Sequence, residues 1–152
     1  MAEQSIVTLL SAALTPVIAV GAATVAYLNM RTAKHKIKID LFEKRLKVYN
    51  NLKDLIDSLY VNVLPEDDPY LKYIDIAKEA QWLYDKPTIE WMDTNIGLKI
   101  RDMSIKHGEA EVAEDEAKRR VRGEMRELRT SLVQAEYTMR DVFSPFLKIH
   151  EQ

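Results

Sequence analysis

The sequence predicts an all-α protein, an N-terminal transmembrane helix continuing into an up-down four-helix bundle whose last helix is heptad-patterned. Three observations carry that expectation. An uncharged, mostly apolar run from Ile6 to Met30 closes against Arg31, Lys34, Lys36 and Lys38. Only four glycines and five prolines interrupt the 152 residues, and period-2 alternation is almost absent. Near the C-terminus, Val121, Met125, Leu128, Leu132, Ala135, Met139, Val142 and Phe146 alternate steps of four and three. The boundaries that follow are 1–30 for the anchor, 31–64 for a basic collar and first bundle helix, and 65–152 for the remaining helices, so that 31–152 forms one cytoplasmic domain.

At ~1.5 Å per residue the Ile6–Met30 run spans roughly 37 Å as a helix, enough to cross a hydrocarbon core of ~30 Å with some tilt. A lone segment in lipid must satisfy its own backbone, which requires a helix. Pro16 frees one carbonyl and predicts a kink. Ahead of the run the only charged side chain is Glu3, whereas Arg31 to Asn50 carry seven Lys or Arg against Asp40 and Glu43. The positive-inside rule then places the N-terminus outside and the C-terminal domain in the cytoplasm of a bacterial inner membrane. A secretory signal would need the basic n-region that is missing here.

Within the anchor, Ser11, Thr15, Ala19 and Ala23 recur every fourth residue, a spacing that lets two helix backbones approach closely. They form an expected helix–helix seam. Arg31, Lys34, Lys36 and Lys38 form an expected collar on anionic lipid headgroups, worth ~1 kcal/mol per basic residue near the surface.

Beyond the collar, Phe42, Tyr49, Ile56 and Val63 fall seven apart with Leu52 and Leu59 between them, the face of a core-facing helix that should stop at Pro65. Arg45 interrupts this stripe, and calls either for a carboxylate or phosphate partner or for a stem that packs while the head reaches water. Asp68-Pro69 signals the next helix, with Tyr70, Ile74, Ala77 and Tyr84 inward. Asp85-Lys86-Pro87 starts a third, with Ile89, Met92, Ile96, Ile100 and Met103 inward and Lys106-His107-Gly108 as its end. Gly97 marks a close approach by a neighbour. Trp82 and Trp91 are expected to pack into the bundle.

The last helix is expected to begin in the acidic stretch Glu109, Glu111, Glu114, Asp115 and Glu116, which suits the positive end of its dipole, and to end at Ser144-Pro145. Val121, Met125, Leu128, Leu132 and Met139 then form a seam that packs on the domain's first helix or zips with a second copy. An up-down topology would bring Phe143, Phe146, Leu147 and Ile149 near the headgroups.

The segment Lys38-Ile39-Asp40-Leu41-Phe42-Glu43-Lys44-Arg45-Leu46-Lys47-Val48-Tyr49, following the apolar run, resembles one shared by uncharacterised short bacterial single-pass membrane proteins with a helical cytoplasmic tail. Phe143-Ser144-Pro145-Phe146-Leu147 resembles their other recurrent segment. The resemblance implies bacterial or prophage origin and brings no activity with it.

Chemistry is mostly excluded. With no cysteine there is no disulfide and no thiolate. His35, His107 and His150 lie far apart, with neither H-E-x-x-H nor a phosphate-binding glycine loop, so no metal and no cofactor is expected. The basic run Lys118 to Arg129 is interleaved with Glu124 and Glu127 and reads as a solvated charged face, not a nucleic-acid surface. The expected role is a non-enzymatic membrane-anchored scaffold or interaction subunit that forms homo-oligomers or docks to a larger protein, with no small-molecule substrate. The rival is a membrane-active effector of a phage-related or defence system; a spanin-like periplasmic coiled coil would need the opposite orientation.

Overall fold

The computed structural model describes residues 2–61, 68–112 and 114–148, with side chains from residue 18 onward apart from 61 and 111. The described residues form helices and turns and no strand. In order they are α1 (Ala2–Val61), α2 (Pro69–Ala80), α3 (Lys86–Met92), a π-turn (Asp93–Gly97), α4 (Leu98–Val112) and α5 (Asp115–Phe143). The backbone stays helical through Asp93 and Leu98, so α3, the π-turn and α4 make one widened helix. The chain divides into two units, Met1–Asp40 and Leu41–Gln152.

In the first unit every described side chain from Ile18 to Lys38 is exposed, apolar ones included; Ile18 is 62% exposed. No helix has, among its described residues, an apolar stretch long enough to cross a membrane. The first half of the expected span, with the Pro16 kink, lies outside the described side chains, so the transmembrane helix has no support among the described residues.

The second unit is a helical bundle. From α1 it takes Val48, Leu52, Leu55, Ile56 and Leu59, all buried, at steps that keep one face inward. The expected stop at Pro65 lies outside the described residues. α2 starts as its sequence dictates: the Asp68 carboxylate accepts from the Tyr70 N–H at 2.9 Å and Pro69 takes the first helical position. Of the expected inward residues Ala77 and Tyr84 are buried and Tyr70 and Ile74 half-buried, and Tyr73 and Ala80 are buried beside them. Asp85 caps α3 in the same way, accepting from the Thr88 N–H at 3.1 Å.

Met92, Ile96, Ile100 and Met103 are fully buried. In a regular helix each four-residue step drifts about 40° around the axis. The π-turn takes up that drift between Met92 and Ile96, which keeps both in the core. The expected helix end at Gly108 is not there: α4 runs on to Val112, and Gly108 sits exposed within it. A mid-helix glycine costs only about 1 kcal/mol against alanine, and a salt bridge from Lys106 to Glu124 of α5 holds this stretch in place. Glu109 and Glu111 therefore lie in α4, and only Asp115 and Glu116 occupy the first turn of α5.

α5 lies along α4 and reaches α1 through side chains, with Tyr49 edge-on to Phe143 at 5.7 Å and Lys53 bonded to Glu136 at 2.9 Å. Its buried positions are Val121, Met125, Leu132, Ala135, Met139 and Phe143; Leu128 and Val142 are half-buried. A straight helix drifts ~20° per heptad, so by its last turn the inward position has passed from Val142 to Phe143. Phe143 is fully buried among Tyr49, Tyr84 and Trp91, which removes it from the headgroup role expected of it. Phe146 and Leu147 pack partly against the same core, and Ile149 lies outside the described residues. α5 ends at Ser144-Pro145 as expected.

Candidate interaction site

Where α2 crosses the π-turn, the two enclose a cleft of about 360 Å³ with Tyr70, Tyr73 and Lys78 on one side and Asp93 and Leu98 on the other. Gly97 is what allows the approach. A Cβ at that position would stand 2.5 Å from the Tyr73 ring, closer than side chains pack. Tyr73, 2% exposed, donates its phenol to Asp93 Oδ1 at 2.5 Å, and Tyr70 stacks on it at 6.3 Å.

Burial pushes the Tyr73 hydroxyl well above the ordinary phenol range, and the bond to Asp93 adds to the shift. The phenol therefore stays protonated at neutral pH and serves as a fixed donor, not as a base or nucleophile. Lys78 at the rim pairs with Asp75 at 3.2 Å and is exposed. An apolar floor with a charged rim suits recognition.

Beside this cleft, in the turn from α2 to α3, Trp82 is 89% exposed. The expectation that both tryptophans pack into the bundle is thus corrected for one of them. Trp91 is half-buried, edge-on to Phe143 at 6.3 Å. The turn is closed by Leu83 and Tyr84 N–H groups on the Ala80 carbonyl, at 2.9 and 3.0 Å, and it buries Tyr84. With Ala80 and Tyr84 both turned inward, Trp82 between them faces water.

Among the described residues Arg45 has no carboxylate partner. Its Nε donates to the Leu83 carbonyl at 2.8 Å and its guanidinium lies 5.2 Å from the Phe146 ring centroid. Tyr84 donates back to the Arg45 carbonyl at 2.7 Å. Burial raises the Tyr84 phenol above its ordinary range, with Arg45 opposing. The two segments that carry the resemblance therefore meet at this corner, through Arg45 on Phe146 and Tyr49 on Phe143.

Of the expected membrane seam, Ser11 and Thr15 lie outside the described side chains, while Ala19 and Ala23 are exposed. Arg31, Lys34, Lys36 and Lys38 are all exposed. From the heptad, Val121, Met125, Leu132 and Met139 are buried within the chain, and Leu128 partly so. Among the described residues no group of three or more His, Asp or Glu is placed to hold a metal ion. Sequence reasoning missed the Tyr73–Asp93 pair, for which Gly97 was the one available signal, and assigned Trp82 to the interior. Comparison with protein-family models, curated proteins and solved structures found no match to this chain.

Proposed function

We propose that the chain is a membrane-anchored, non-enzymatic helical interaction subunit of bacterial or prophage origin, which docks a partner protein through Trp82 and the neighbouring α2–π-turn cleft. The exposure of Trp82 carries the reading. A bundle that buries Tyr84 and half-buries Trp91 leaves its other indole in water. Such an indole fits the aromatic anchors that dominate binding energy at interfaces.

The anchor itself rests on the Ile6–Met30 run and the exposed collar of Arg31, Lys34, Lys36 and Lys38. In this proposal the collar meets anionic headgroups, the bundle is cytoplasmic, and an up-down topology joins its helices. Since the heptad positions Val121, Met125, Leu132 and Met139 are occupied within the chain, self-association falls to the seam of Ser11, Thr15, Ala19 and Ala23.

Native mass spectrometry of a C-terminally tagged chain, extracted gently from bacterial membranes, tests the reading. A stoichiometric second protein that is lost with Trp82→Ala supports it. Recovery of the chain in the soluble fraction, or a partner indifferent to Trp82→Ala, refutes it.

A second reading, a membrane-active effector whose anchors assemble, rests on the four-residue spacing of Ser11, Thr15, Ala19 and Ala23. It requires a species at a multiple of 17.6 kDa and depolarisation on overexpression that Ala19→Leu and Ala23→Leu abolish.

A further inference from the structure

Arg122, Arg126 and Arg129 stand at i, i+4 and i+7 on α5 and so form one stripe along the helix. With Tyr60 from the end of α1, and with Met125 and Thr130, they line a groove of about 870 Å³. That is within the range of small-molecule sites, ~300–1,000 Å³.

In the sequence these arginines are interleaved with Glu124 and Glu127. The fold separates them. Glu124 is engaged by Lys106 from α4 and by Arg120 at 3.7 Å, and Lys106 holds its carboxyl below the ordinary range. Glu127 lies more than ~100° around the helix from the arginine stripe. Among the described residues none of the three arginines has an ion-pair partner, and the Arg129 Nε is shielded from water with no acceptor. A shielded donor left unbonded is a cost that an acceptor drawing the guanidinium into the groove would relieve.

We propose that this groove binds a phosphorylated small molecule of nucleotide size, its phosphates on Arg122, Arg126 and Arg129 and its planar ring on Tyr60. Guanidinium forks match phosphate oxygens two at a time, which a lysine cluster cannot do. Tyr60, 67% exposed at the rim, offers a ring face on which a base stacks. The Thr130 hydroxyl already donates to the Arg126 carbonyl at 3.0 Å, so its oxygen remains free only to accept. It would meet a ring N–H rather than a phosphate.

The test is calorimetric titration of the full chain with pyrophosphate and with ATP at about 0.15 M salt, where diffuse surface attraction is screened. Saturable binding of one equivalent of each is expected. Arg126→Gln and Arg129→Gln should each weaken both probes about tenfold or more. Tyr60→Ala should weaken ATP by about fivefold or more and leave pyrophosphate within about twofold. Arg140→Gln, an exposed arginine outside the groove, and Trp82→Ala should change neither, which separates this site from the docking reading. Because Arg126 and Tyr60 are exposed, circular dichroism should show those variants folded. The proposal is overturned if neither probe saturates, or if Arg140→Gln weakens binding as much as Arg126→Gln. It is equally overturned if only anionic-lipid vesicles bind through these arginines, for the ligand is then a headgroup.

Discussion

The Tyr73 phenol donates to the Asp93 carboxylate at 2.5 Å, tying the middle of α2 to the first residue of the π-turn. The contact forms because position 97 has no side chain, and it places the ring against the widened turn. Gly97→Ala sets a methyl group 2.5 to 2.6 Å from three atoms of that phenol, so the ring must shift and the bond to Asp93 must lengthen. A loss of about 1–3 kcal/mol follows, as for other overpacked cores. Thermal unfolding should show it as a midpoint lower by several degrees. The same substitution made in a Tyr73→Leu background should cost clearly less; equal costs in the two backgrounds would place the strain elsewhere.

Alkaline pH should unfold the bundle through its buried phenols. The Tyr73 and Tyr84 hydroxyls are both raised above their ordinary range, mainly by burial. A folded pKa above the unfolded value of ~10 means stability is complete below pH ~10 and is lost as pH rises beyond it, since only the unfolded chain then gives up the proton. Lys53, raised by its bonds to Asp57 and Glu136, works in the same direction. Denaturation midpoints should hold steady to about pH 9.5 and fall above it. Tyr73→Phe with Tyr84→Phe should flatten the decline, and an unchanged slope would exclude the phenols as its source.

The two tryptophans should behave as opposites. Trp82→Ala is expected to alter stability by no more than about 0.5 kcal/mol, as for an exposed side chain free of packing. Trp91→Ala removes the edge contact to Phe143 and should cost about 2 kcal/mol. In fluorescence, the Trp91→Phe variant reports Trp82 alone and should emit to the red and quench readily with acrylamide. Shielded emission from that variant would contradict the exposure of Trp82.

Arg45→Lys keeps the charge and removes both the Nε donor to Leu83 and the planar cation on Phe146. A cost of about 1–2 kcal/mol is expected, because an ammonium reproduces neither geometry. Urea titration would measure it, with Lys44→Arg, an exposed neighbour, as the control that should change nothing.

What was legible from the sequence were the features that act within a single helical turn. Asp68-Pro69 and Asp85-Lys86-Pro87 each place an acceptor and a proline where a helix must begin, and Ser144-Pro145 removes the donor that would continue α5. These determine where α2 and α3 start and where α5 ends, since a cap is satisfied by the backbone beside it. The absence of a side chain at Gly97 was readable as a close approach, though not who approaches. The tertiary structure alone decided which neighbour that is, which indole faces water, and that α4 runs past Gly108. It alone gave Arg45 a carbonyl and a ring as partners, and gave Glu124 to Lys106, leaving Arg122, Arg126 and Arg129 without a carboxylate among the described residues. Each of these outcomes is a competition between partners from different helices. Burial and charge pairing depend on distances in space, which one-turn patterns do not encode.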